Sequence, residues 1–90
     1  MKQFIKDPNA ELDYKMDCIA WLGEKDVIVA SLWEVDSEEI VVDTDSFTET
    51  DATVWLSGGL NRKKYLITNS IETDDGRKDD RSFLIKCLEQ

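Results

Sequence analysis

Seven carboxylates with no base among them occupy residues 36–51: Asp36, Glu38, Glu39, Asp43, Asp45, Glu49 and Asp51. Oxygen ligands crowded into a short stretch are what a hard cation such as calcium needs. The spacing argues against that use here. Counted from Asp43 as a first ligand, the fifth position is Phe47 and the sixth Thr48, where an EF-hand loop requires an oxygen donor and then a glycine. A second acidic stretch, residues 74–80, holds Arg77 and Lys78 in its midst, and these neutralise a cation site from within. No metal is expected at either place. Two readings remain for residues 36–51: a solvated loop or edge that discourages self-association, or a docking surface, made by those seven acids, for a basic partner or a neighbouring subunit.

Other chemistry is short of parts. The chain has no histidine, so its serines lack their usual base and most zinc sites lack a ligand. Neither Ser-x-x-Lys nor Gly-x-Ser-x-Gly occurs, and Gly58-Gly59 is not followed by the Gly-Lys-Ser/Thr of a phosphate loop. Acid pairs can be drawn from twenty acidic residues in too many ways for any one pair to inform. Cys18 and Cys87 have no CxxC spacing and are expected to be buried free thiols. No catalytic residue, cofactor or cofactor-binding residue is expected, and the protein is not expected to be an enzyme. Trp21, Trp33 and Trp55 suit either an aromatic sugar-binding surface or a core; with Tyr14 and Tyr65 they are expected in the core.

The net charge is −9, and it is uneven: residues 1–51 carry fourteen acids against four bases, residues 52–90 six against seven. Nucleic acid is an improbable partner for such a surface, because phosphate binding draws on clustered Lys and Arg. No apolar run reaches the roughly 18 residues of a membrane span, and residues 1–13 lack the apolar region of a signal peptide. The protein is expected to be made and kept, or assembled, in the cytoplasm.

The elements that would position these residues are strands. Ninety residues hold one core, so residues 1–90 are expected to be one domain. In residues 12–18, Leu12, Tyr14, Met16 and Cys18 alternate with Asp13, Lys15 and Asp17, a period-2 strand with one wet face. Residues 3–6, 27–35, 40–42, 52–57, 65–73 and 81–88 supply the rest, with a corner at 19–26, an acidic loop at 43–51 in which a strand fragment around Phe47 is open, and a slightly long hairpin loop at 74–80. No segment longer than about two turns places apolar residues at helical spacing. About seven short strands predict an all-β fold, an immunoglobulin-like or fibronectin type III-like antiparallel β-sandwich. Tyr65 follows Leu60 by five residues and opens a strand, which suits a tyrosine corner, the hydroxyl returning to upstream backbone.

Several stretches in order carry a resemblance: Lys-Asp-Pro-Asn-Ala-Glu-Leu-Asp-Tyr at 6–14, Trp21-Leu22-Gly23, Trp33 with Val35, Val-Trp-Leu-Ser-Gly-Gly at 54–59, Tyr65, Ile67-Thr68-Asn69, and Ile71-Glu72-Thr73 before Gly76-Arg77. Together, over roughly residues 4–88, they resemble a family of small tailed-bacteriophage and prophage proteins, often labelled fiber or virion structural proteins and immunoglobulin-like in fold. Cys18 departs from the pattern, where a tryptophan is usual, and Leu60-Asn-Arg-Lys-Lys64 replaces a glycine-rich turn with a basic loop. The resemblance implies a phage structural or accessory protein that docks onto other virion subunits in tail, neck, fibre or head decoration. Its implied partners are other phage structural proteins, with a homo-oligomer also open and neither nucleic acid nor membrane among them. Its implied location is the virion, or the host bacterial cytoplasm before assembly. The alternative is a free-standing recognition module binding carbohydrate or a protein ligand.

Overall fold

Residues 2–18, 22 and 26–89 are described by the structure, a computed structural model of the chain. Runs of alternating or β-branched residues become seven strands: β1 Gln3–Lys6, β2 Leu12–Asp17, β3 Ile28–Val35, β4 Ile40–Phe47, β5 Asp51–Gly58, β6 Lys64–Thr73 and β7 Lys78–Cys87. They form a four-stranded sheet in the order β1-β7-β6-β3 and a three-stranded sheet in the order β2-β5-β4. This is the two-sheet sandwich that the strand pattern predicts. One pairing departs from antiparallel: β1 runs parallel to β7, because the chain crosses to the other sheet through residues 7–11 before it turns back.

The inner faces meet over a core fixed by period-2 alternation. On β5, Ala52, Val54 and Leu56 are buried; on β6, Tyr65, Ile67 and Ile71; on β7, Phe83, Ile85 and Cys87. Each large aliphatic side chain so buried contributes about 1.5–3 kcal/mol. Phe83 lies 5.4 Å from Phe4 edge-on and 5.5 Å from Tyr14, between ring centroids, so aromatic contacts tie β1, β2 and β7 together. A smaller cluster, Cys18, Leu22, Ile28 and Ile71, closes one end. Cys18 and Cys87 are buried and unbonded, and burial pushes both thiols above their ordinary range.

Three expectations need correcting. Residues 43–47 are not loop: β4 continues to Phe47, paired with β5 past a bulge between Val42 and Thr44. Its last half outruns the core and stays exposed, so no buried alternation marked it as strand. The hairpin between β6 and β7 is tighter than expected, since β7 starts at Lys78 and only residues 74–77 turn, with Gly76 at φ 82°. Trp55 is not core: it points outward between buried Val54 and Leu56 and is 40% exposed. Its neighbours in sequence already supply the inward side chains, and a strand cannot turn three successive residues to one face. Trp33 is buried; Trp21 and most of the expected corner at 19–26 lie outside the described residues.

The molecule measures 43 Å along its longest axis. Residues 36–39 and 59–63, the β3–β4 and β5–β6 connections, share one end, hereafter the near end. The β4–β5 and β6–β7 turns, residues 48–50 and 74–77, share the far end. Among the described residues no helix is long and apolar enough to cross a membrane.

Candidate docking surface

The near end is organised around Tyr65. Its position at the start of β6 lets the ring enter the core, where it is 2% exposed, while the hydroxyl reaches back out. The Leu60 N–H donates to that hydroxyl at 2.9 Å, the upstream backbone bond of a tyrosine corner. The hydroxyl in turn donates to Glu39 Oε1 at 3.0 Å, and Lys63 Nζ lies 3.2 Å from each oxygen of the same carboxylate. Burial pushes the Glu39 carboxyl up, but the bonds from Tyr65 and Lys63 outweigh it and hold the group below the ordinary carboxylate range. Burial, with the Glu39 charge, raises the Tyr65 phenol. Ser37 completes the turn: its hydroxyl accepts the Glu39 N–H at 3.2 Å.

Two further residues shape this end. Lys6, at the end of β1, is fully buried, and its ammonium donates to the Asp7 carbonyl at 2.9 Å and the Gly58 carbonyl at 2.8 Å. A buried cation needs such acceptors, and here they tie β1 to β5 across the two sheets. An isolated lysine beside Asp-Pro in a sequence gives no hint of this. Gly59, with φ 94°, sits where a Cβ would strike the Cys87 sulfur and crowd Ile40 and Tyr65. Glycine is required by both conformation and space.

The seven acids are strung along one flank rather than gathered. Asp36 accepts the Leu66 N–H at 3.1 Å, Glu39 belongs to the tyrosine corner, Asp43 accepts from the Ser57 hydroxyl at 3.0 Å, and Asp51 pairs with Lys15 at 3.2 Å. Glu38 in the near-end turn, Asp45 on β4 and Glu49 in the far-end turn are exposed, without a hydrogen-bond or ion-pair partner of their side chains among the described residues. β4 is an edge strand, so these three carboxylates mark out an open sheet edge from one end of the molecule to the other. Among the described residues no three His, Cys, Asp or Glu side chains converge as they would around a metal ion.

The far end is held by a different acid. Asp26 is 6% exposed; its Oδ1 accepts the N–H groups of Val27 at 3.0 Å and Asp75 at 3.2 Å, and Arg77 lies 3.6 Å from its Oδ2. Desolvation pushes this carboxyl up, and the Thr73 hydroxyl, the two amides and the Arg77 charge more than reverse it, leaving it below the ordinary range. The arrangement clips the β6–β7 turn to the start of β3. Between the β1 and β2 edges lies a cleft of about 270 Å³ walled by Phe4, Tyr14 and Phe83, and the Tyr14 hydroxyl is buried without a hydrogen-bond partner among the described residues. Burial raises that phenol.

Four strands facing three, with the corner tyrosine opening β6, define an immunoglobulin-like β-sandwich. A solved structure, the PKD domain from KIAA 1837 protein in solution, is similar in fold: 17% identity over 99% of this chain and 80% of that one, with a TM-score of 0.52. No curated protein matches the sequence. Residues 6–86 match the family described as Podophage GP4 fiber-tail adaptor protein gp77, and the chain belongs to that family. It is a bacteriophage virion structural protein that acts by protein–protein docking among other phage structural proteins.

Proposed function

We propose that the protein joins a fibre to a tail without catalytic turnover, docking through the acidic flank formed by the β3–β4 turn, the β4 edge and the β4–β5 turn. The observation that supports this reading is the row of unpaired carboxylates, Glu38, Asp45 and Glu49, along an open sheet edge in a member of a fibre-tail adaptor family. Like charges left unscreened on an edge oppose self-pairing and attract a cationic surface. The reading places the chain in the virion after synthesis in the host cytoplasm. Its net charge of −9 makes nucleic acid and anionic membrane surfaces poor partners. The carbohydrate alternative asked for an aromatic surface, and Trp33, one of its three tryptophans, is spent on the core.

The test is a triple variant, Glu38→Gln, Asp45→Asn and Glu49→Gln, which leaves the four internally bonded acids intact. Exposed charges act on association chiefly through on-rate and salt dependence. The variant should therefore keep its melting temperature yet enter virions, or bind the cognate fibre or tail subunit, about tenfold less well at low salt, the difference shrinking as salt rises. Incorporation at the wild-type level at every ionic strength would show the flank to be solvated only, and would move the search to the basic loop at residues 62–64.

A further inference from the structure

The outer face of the β2-β5-β4 sheet is made of small polar and charged residues except at Val41, which is opposite Ser57 and exposed, and at its centre. Thr44 and Ser46 on β4 and Thr53 and Ser57 on β5 suit a wet sheet face, yet Trp55 stands on the middle strand among them, 40% exposed. Strand register sets Asp13 of β2 directly opposite Trp55 on one flank and Thr44 of β4 on the other. Residues facing each other in this way have Cβ atoms about 5 Å apart. The bulge between Val42 and Thr44 turns Asp43 toward the same face, where its carboxylate accepts from Ser57, the next residue along β5 on the Trp55 side. An indole is thus flanked by the carboxylates of Asp13 and Asp43. Lys15, the nearest base on β2, is engaged with Asp51 at 3.2 Å, and Asp13 has no hydrogen-bond or ion-pair partner among the described residues.

A tryptophan face attracts cations, and a guanidinium both stacks flat on the ring and forks to a carboxylate, which an ammonium does not. We propose that Trp55, between Asp13 and Asp43, is the anchor at which this protein receives an arginine side chain of its virion partner. The inference rests on the docking reading above and specifies the chemistry of the partner. A second copy of the chain fits this face poorly. Two copies each carrying −9 repel, and the three strands of this sheet hold no base but Lys15, which is already engaged with Asp51.

The experiment is a titration of the full chain at low salt with the end-blocked tripeptide Arg-Gly-Arg, its Lys-Gly-Lys counterpart and Glu-Gly-Glu, read from the tryptophan indole N–H resonances. The Trp55 signal is identified by its loss in Trp55→Thr. The expected result is a shift of that signal by the arginine peptide, binding about threefold or more tighter than the lysine peptide of equal charge, and none by the glutamate peptide. Asp13→Asn, which keeps the indole, should weaken the arginine peptide and narrow its advantage. If cationic peptides bind and move backbone signals at Glu38, Asp45 or Glu49 while the Trp55 signal stays still, the anchor is overturned and the acidic-flank reading stands. If no cationic peptide binds at all, both fall. A dimer in sedimentation whose Trp55 signal moves with protein concentration would also overturn it, since the occupant would then be another copy.

Discussion

Tyr65 shows how much one side chain can hold. Its hydroxyl accepts from the Leu60 N–H and donates to Glu39, so removal of a single oxygen leaves both a backbone donor and a carboxylate oxygen short of a partner at a half-buried site. Leaving such groups unsatisfied costs about 1–3 kcal/mol. Tyr65→Phe should therefore lower the free energy of unfolding by that amount at neutral pH, seen as a lower denaturant midpoint with the slope of the transition unchanged. Glu39→Gln separates the two bonds, since the amide keeps an acceptor for the phenol while losing the charge that Lys63 pairs with; it should cost less than Tyr65→Phe. A midpoint equal to wild type in Tyr65→Phe would mean that water replaces the hydroxyl at no loss. The upstream backbone bond was legible in the sequence from the spacing of Leu60 and Tyr65. The acid was not: Glu39 is twenty-six residues away and reads as one more member of an acidic run.

At the scale of elements, the strands that carry buried alternation were legible and those that do not were blurred. β2, β5, β6 and β7 display apolar residues every second position because each faces the opposite sheet, and their bounds fall within a few residues of the pattern. β4 keeps that signal only through Ile40 and Val42; beyond the bulge its partner is β5 alone, so hydrogen bonding without burial makes it strand. Trp55 misled for a related reason: side-chain size suggested core, while its parity with Val54 and Leu56 pointed outward. The far-end turn was legible as a turn from Asp-Asp-Gly, but its clip to Asp26 was not, because Asp26 and Asp75 are distant in sequence. That clip has a pH signature. Asp26 is held below the ordinary carboxylate range in the fold, so its stabilisation is present in full above that range, about pH 4 and up, and is lost as pH falls through its lowered folded value. Glu39 has the same sign. Melting temperature should fall steeply below about pH 4, and Asp26→Asn, already less stable at pH 7, should show a shallower acid fall than wild type. Parallel acid profiles for the two proteins would sink the assignment of this carboxylate to acid unfolding.

At the scale of the whole molecule, charge acts on stability and on assembly with opposite signs. Twenty acids face eleven bases, so even with ion pairs such as Lys15 with Asp51, Lys63 with Glu39, Arg77 with Asp26 and Arg81 with Asp79, nine acids remain in excess. Two charges 10 Å apart in water interact by about 0.4 kcal/mol, and the screening length falls from about 30 Å at 0.01 M to about 8 Å at 0.15 M salt. Repulsion arising from the excess of acids is long-ranged and is screened in that window; the pairs, in contact, are screened less. Raising sodium chloride from 0.01 to 0.15 M should therefore raise the melting temperature by a few degrees, about 4–8 °C for each kcal/mol of repulsion removed in a domain of this size. The same change should weaken capture by a cationic virion subunit, because that attraction is the long-ranged term in assembly. Calcium separates screening from binding: with no three acids converging among the described residues, calcium and magnesium at equal ionic strength should raise the melting temperature alike. A calcium increment that magnesium does not reproduce would reveal a site, and a melting temperature that falls with sodium chloride would show that the ion pairs, not the repulsion, dominate the electrostatics of the fold.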